Sequence, residues 1–459
     1  MKLTRTLAEN MVYTKYEDLP KKVVLKTKRH ILDILGVMFP PSSLEKACAA
    51  LEEITREGEG KEESTLIGFG GKAPCWMAAF VNGSLAHPLD YDDTTDEFAN
   101  HPSAHTFPAA LAVAEKVGNV SGQKFITAMA LGIDLNARLS AAPKGSILED
   151  YPWVPITVFG VFSATAAAGK LLELTDQEMV NAFGIALDRA SGLLESIASP
   201  DSEMRGIRDS FGNREGVLAA LMAKKGISAC QDSIEKLYKF FYDNDYDSSK
   251  LTSNLGSEFW VLKVGLKAWP VCRAAHTYIK AALDIATEYE VDPERIKEVL
   301  LPVGTFGKDM LFSPLEAKQS PKLSINARLS LPFIMGVVFA KRRLIIEDFF
   351  PENLKDTKVL EIAKKIKHKF DPKLLSDGAI CAGEVEVRMQ GGDIFQKKED
   401  LPYGHPKNPM SDEEIIAKFK DCARYAKKVL SEEKVDQLVE KILNLENVKN
   451  IKEITQILE

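Results

Sequence analysis

The chain is 459 residues long, 45% hydrophobic and 27% charged, with 29 glycines and 22 prolines. This excludes a disordered, collagen-like or disulfide-scaffold protein, and at roughly 150 residues per domain it implies two or three domains with large buried cores. Lys and Arg total 59 against 66 Asp and Glu, a net charge of −7 with no basic tract. A nucleic-acid-binding arm is therefore excluded, and any anionic ligand must be held by a local cationic pocket.

The first twenty residues lack an apolar run and carry Glu9, Glu17 and Asp18, so neither a signal nor a transit peptide is expected. Cysteines 48, 75, 230, 272, 381 and 422 form no C-x-x-C pair, which fits neither a zinc site nor a disulfide framework and suits a reducing cytoplasm. From Leu3 to about Gly226 the apolar spacing is helical. Ile31, Leu32, Leu35 and Val37 lie on one such stripe, stopped by Pro40-Pro41. Pro108 is expected to open a helix over Ala109 to Lys116 that Gly118 closes. The longest uncharged run, Pro152 to Gly169, is rich in Ala, Gly, Ser and Thr and opens with two prolines, which predicts a buried central helix and not a membrane span. Thr175 to Glu178 reads as a capping box.

After Pro270 the pattern changes. Ile296 to Val303 reads as a strand, and Glu384 to Met389, Gly391-Gly392 and Asp393 to Phe395 as a hairpin. Helical spacing returns at Ser411 and runs to Glu459, with Glu432 to Lys441 a solvated charged face. No internal repeat is present. The pattern predicts a mainly α protein: a large all-helical domain built from both chain ends, 1–267 and 403–459, with a smaller α+β domain inserted at 268–402.

Two polar constellations could carry chemistry. The first runs from Asn82 to Thr94 through His87, Asp90, Asp92 and Asp93, and is followed by His101 and His105. Acids this close repel one another unless they cap helices, meet cations or bind metal, and a nearby histidine can supply a base near neutral pH. Helix caps around a satisfied histidine are the plainer reading. Asp92 to Asp96 also fits DDxxD, the magnesium-diphosphate motif of terpenoid synthases, but the second motif that such an enzyme needs fails at Thr252. A zinc pair at His101 and His105 would be interrupted by Pro102 and lacks a third ligand, so no metal is expected.

The second constellation is cationic. Arg205, Arg208 and Arg214 precede the apolar stretch Gly216 to Ala223, and Lys267, Arg273 and His276 cluster near the expected domain junction. Guanidinium groups grip carboxylates bidentately, which suits a substrate with several carboxylates. Exposed helix-end charges are the alternative.

Together and in order, these segments resemble the 2-methylcitrate dehydratase (MmgE/PrpD) family. The resemblance rests on Asp33-Ile34-Leu35-Gly36, on Asn82-Gly83 through Ala86-His87 and Asp90-Tyr91-Asp92-Asp93-Thr94 to His101-Pro102-Ser103, and on Pro108 to Ala112. Gly160 to Ala164, Lys267 through Pro270 and Cys272-Arg273 to His276, Ala327 to Pro332, and Gly404-His405-Pro406 with Asn408-Pro409-Met410 complete it. The resemblance implies a helical domain with a smaller α+β lid, a homodimer through the helical domain, and no cofactor or metal. It also implies chemistry on a small di- or tricarboxylic acid: dehydration of 2-methylcitrate, decarboxylation of cis-aconitate, or epimerisation of iminodisuccinate. Carried over position by position, it assigns catalysis to Asp90, His101, Lys267 and His276. Thr94, Arg205, Arg208, Arg273 and Trp153 fall on the substrate side.

Two departures stand out. Val154 occupies the place of a family histidine, and Arg205 and Arg208 replace a lysine and a histidine. Two imidazoles are lost and, with a lysine and a histidine both replaced by arginine, one permanent cation is gained. The expected activity is that of a hydro-lyase abstracting a proton next to a carboxylate, with decarboxylation and epimerisation as alternatives. Outside catalysis, a relative that only binds a carboxylate is the competing reading. His101, oriented by Asp90 or Asp93, is expected to be the main base or acid, with His276 a second candidate.

Overall fold

The uncharged run of the sequence forms the helix Pro155–Leu171, buried at every position except Lys170. Pro155 sits at its first position, where no backbone N–H is needed. In this computed structural model, which describes residues 2–97, 100–144, 151–195, 199, 202–305, 307–371, 374 and 382–459, that helix packs against Pro102–Val117, Gly122–Ala141, Asp176–Arg189 and Asp209–Lys224. Small residues allow the approach. A Cβ on Gly216 would lie 2.5 Å from Ala164 Cβ, and one on Gly160 only 2.2 Å from the His105 ring. Among the described residues no helix is long and apolar enough to cross a membrane.

The chain divides into two units, one of residues 1–88, 92–264 and 411–459 and the other of 89–91 and 265–410. In the first, the helix Lys21–Val37 is buried from His30 onward, and Asp412–Ala423 packs on it. The capping box at Thr175 forms as expected, and a second forms at Ser411. On Glu432–Leu443, Val435, Leu438, Val439 and Ile442 face inward and the charges face solvent.

The expected start at Pro108 is corrected. The helix begins at Pro102 and carries Pro108 inside it. Pro108 cannot donate to the Ala104 carbonyl four residues back, and the Asn213 side-chain amide donates to that carbonyl instead, at 3.0 Å. A distant partner removes the penalty that local reading assigns to the proline.

The second unit is built on a four-stranded sheet in the order Ile366–Phe370, Ile296–Val303, Gly383–Met389, Ile394–Glu399. The first pair is parallel and the others antiparallel. Val385 and Val387 alternate inward with Ile296, Val299, Leu301 and Val303, and the helices His276–Glu288 and Leu331–Lys341 complete the core. The edge strand Ile394–Glu399 is polar and exposed, which discourages pairing with other chains.

Candidate active site

The polar segment of the first unit is held by packing before any chemistry. Asn82 accepts from Ile67 N at 2.9 Å and donates to Thr65 O at 2.8 Å, so its amide fixes the end of the helix Cys75–Ser84. A Cβ on Gly83 would lie 2.9 Å from Ser210 Cα. Its absence lets the helix Asp209–Lys224 close in, and with it Arg208 reaches His87.

The acids find distinct partners. Asp93 caps the helix Pro102–Val117 by accepting from Ser103 N at 3.1 Å on Oδ1 and from Ser103 Oγ at 2.6 Å on Oδ2, and His30 Nδ1 lies 2.8 Å from that same Oδ2. Burial raises the Asp93 carboxyl, but the His30 and Ser103 contacts outweigh it and hold the group below its ordinary range. Asp92 receives His87 Nδ1 at 3.1 and 3.2 Å, and His101 Nδ1 lies 3.3 Å from its second oxygen. The two imidazole rings are 4.6 Å apart.

Hydrogen-bond roles follow from what each partner can do. A guanidinium only donates, so Arg208 Nη2, 3.1 Å from His87 Nε2, makes that nitrogen the acceptor and places the His87 proton on Nδ1. A carbonyl only accepts, so the Asp93 main-chain oxygen, 2.7 Å from His101 Nδ1, places the His101 proton there too. Both contacts use His101 Nδ1 as a donor, so any second proton on this ring would sit on Nε2. Of the two residues expected to orient His101, Asp93 does so, through its main-chain carbonyl, with the Asp92 carboxylate beside it, whereas Asp90 accepts from Lys267. Pro102 also fails to interrupt anything, since it is the first residue of a helix that His101 caps.

His87, Asp92 and His101 each bring a ligand-capable atom within 4.8 Å of the others, the set among the described residues that could meet a divalent cation. As they stand, the nitrogens facing Asp92 carry protons and donate, so these residues form a hydrogen-bond chain. His105 Nε2 lies 3.4 Å from Asp209 Oδ1, and burial lowers the pKa of this histidine. Burial works against Asp209, yet His105 and Arg208 outweigh it and keep that carboxylate ionised.

Arg208 also lines a cavity of about 390 Å³ with Val154, Thr157, Val161, Phe211 and Gly212. Val154 is 3% exposed and gives the same cavity an apolar lining. Arg214 lines the same cavity but pairs with Glu215 at 2.8 Å and stacks over Phe80 and Phe211. Trp153 packs with Tyr151, Phe241 and Tyr242. Thr94 is buried on a short strand, and Arg205 is half-buried on Met204–Ile207.

In the second unit Lys267 is fully buried, and its Nζ donates to Asp90 Oδ1 at 2.6 Å. Asp90 has φ +52°, a left-handed conformation that aspartate tolerates better than most residues. Arg273 Nη1 donates to Leu266 O at 3.2 Å and Tyr403 O at 2.9 Å. His276 lies against Trp269, and burial, then the Arg273 and Lys267 cations, push its pKa well below the ordinary histidine value. It is a neutral imidazole near pH 7.

Sequence reasoning missed His87, Asp92 and His30 as members of this network. His87 and Asp92 were visible inside the polar segment. His30 had only the signal of a polar residue on a buried helical face.

Comparison with known proteins now adds to the geometry. Residues 5–247 match the MmgE/PrpD N-terminal domain and residues 269–447 the MmgE/PrpD C-terminal domain. The chain belongs to the MmgE/PrpD family. A cis-aconitate decarboxylase of Aspergillus terreus is 25% identical over 469 residues, covering 96% of this chain and 93% of the relative. The human cis-aconitate decarboxylase is 26% identical over 472 residues, covering 99% and 94%. The mouse protein of that name is 26% identical over 475 residues, covering 99% and 93%. Membership and these relatives support an enzyme with family-level lyase or decarboxylase function.

Proposed function

We propose that this chain is a cofactor-independent carboxy-lyase for a small di- or tricarboxylic acid of the cis-aconitate type, with His101 delivering the proton. The observation that carries the reading is His101 itself. Its Nδ1–H is fixed on the Asp93 carbonyl, and Asp92 stands 3.3 Å away to stabilise an imidazolium. Arg208, buried and lining the same cavity as Val154, supplies a carboxylate anchor. In the reaction the bond from carbon to one carboxyl group breaks and CO₂ leaves. The electron pair is delocalised into the adjoining unsaturated acid, and a carbon of that allylic system takes the proton from Nε2 of the His101 imidazolium, which has drawn it from solvent and returns to the neutral Nδ1–H form. One proton donor suffices.

Dehydration would require both removal of a proton and protonation of a leaving hydroxyl. The loss of two family imidazoles, at Val154 and Arg208, therefore favours decarboxylation. Dehydration stands second, because His105 packs against the cavity-lining Gly212 and offers another imidazole. The roles that the family resemblance gives Asp90, Thr94, Arg205, Lys267, Arg273, His276 and Trp153 are part of the same proposal.

Proton NMR of a panel of unsaturated and hydroxy di- and tricarboxylates, with a chelator present, tests it. Loss of a carboxyl group from cis-aconitate is the expected result. Loss of water from a hydroxy acid, with cis-aconitate untouched, would replace it with the hydro-lyase reading.

A further inference from the structure

Near His101 stands a second histidine to which neither the family resemblance nor the proposed reaction gives a task. His87 is fully buried, and so is Asp92 beside it. A buried imidazole needs both nitrogens satisfied, and here each is met by a group of opposite hydrogen-bonding character. Arg208 donates to Nε2 at 3.1 Å, and Nδ1 donates to Asp92 at 3.1 and 3.2 Å.

Only one state of His87 fits these partners. An imidazolium would turn an N–H toward the guanidinium, and the other neutral tautomer would set a lone pair against the carboxylate. Both are repulsive in a buried setting. Asp92 therefore meets a neutral donor on one side and keeps its full negative charge toward His101 on the other. Were His87 free to take a proton, it would neutralise Asp92 and remove the group that stabilises charge on His101.

We propose that Arg208, His87 and Asp92 form a positioning relay that holds His87 neutral as its Nδ1–H tautomer and reserves the charge of Asp92 for His101. This rests on the reading of His101 as the proton-transfer group. In it Arg208 has a second task besides anchoring a carboxylate, and His87 and Asp92 act only through His101. A guanidinium at position 208 is then more than an added cation, since a lysine there would lack the planar fork that reaches both His87 and Asp209, 3.3 Å from its Nε.

The test is nitrogen-15 NMR of the full chain labelled at its 7 histidines, with His87 assigned by loss of its signals in His87→Phe. Wild-type protein between pH 6 and 8 is expected to show His87 as a neutral Nδ1–H imidazole. An Nε2–H pattern or an imidazolium would overturn the relay, and this measurement needs no turnover. If cis-aconitate proves not to be a substrate, the proposed reaction fails while the relay is still judged by its tautomer.

With cis-aconitate as the probe, Asp92→Asn is expected to lower kcat by roughly 100-fold or more with KM within about threefold, as for other residues that position a catalytic imidazole. His87→Gln keeps a donor to Asp92 and is expected to retain at least a tenth of kcat, whereas His87→Phe is not. Equal kcat in His87→Gln and His87→Phe, or a loss confined to KM, would also overturn the proposal.

Discussion

At the scale of single residues, function rests on which atom carries which proton. His101 Nδ1 is committed to a carbonyl, and the proposed proton transfer is assigned to Nε2. His101→Asn is expected to abolish turnover while the ligand still raises the melting temperature, because Arg208 and the apolar lining stay in place. Thermal shift with and without cis-aconitate separates the two effects. Gly160→Ala tests the neighbouring contact. Its new methyl would lie 2.2 Å from the His105 ring, so the ring must move or the helices part. Overpacking of this kind is expected to destabilise the protein by about 1–3 kcal/mol in urea unfolding, and an unchanged midpoint would contradict the packing. At this scale the sequence told its story in part. His101 was legible because a histidine behind clustered acids is a chemical signal. The partners of His101 were not, because Asp93 acts through its main chain and Asp92 is distinguished from its neighbours only by where the fold turns it.

At the scale of elements, buried charges tie helices that are far apart in sequence. Lys418 on Asp412–Ala423 reaches Asp33 on Lys21–Val37 at 2.7 Å, with both side chains buried. Burial raises the Asp33 carboxyl from 3.8 to about 6 against the pull of Lys418. Because the folded value exceeds the unfolded one, the stability linked to this group is full below about pH 4 and is lost as pH rises through about 6. Lys418→Met leaves an ionised buried carboxylate above that range, at a cost of about 3–5 kcal/mol. Thermal melts are therefore expected to show a larger loss at pH 8 than at pH 5, and an equal loss would contradict the pairing.

Elements whose pattern is self-contained were legible. Ile296–Val303 carries a short apolar run, Gly383–Met389 in the hairpin alternates apolar and polar side chains, and both formed. The strand Ile366–Phe370 was not seen, because Lys367, His368 and Lys369 obscure any apolar alternation and the strand exists through pairing with Ile296–Val303. The helix through Pro108 was misjudged for a similar reason, since its rescue by Asn213 comes from 109 residues away.

At the scale of the whole molecule, the family domains and the compact units do not share limits. The C-terminal family domain runs to residue 447, yet residues 411–459 belong to the unit that holds His101. They complete its core with Phe419, Cys422, Leu438, Ile442 and Leu458. Gly122 has no room for a side chain against Leu445, where a Cβ would lie 1.7 Å from the carbonyl oxygen. A chain ending at Met410 is therefore expected to lose the N-terminal unit to limited proteolysis, and a protease-resistant N-terminal fragment would contradict this interlock. The central claim is that His101 moves a proton onto carbon as a carboxylate is lost. The most direct measurement is proton NMR of cis-aconitate in heavy water with wild-type protein and His101→Asn. The expected result is a decarboxylated product from wild type carrying one solvent deuteron at the new C–H, and none from the variant. A product without deuterium, or a variant turning over at the wild-type rate, would contradict it.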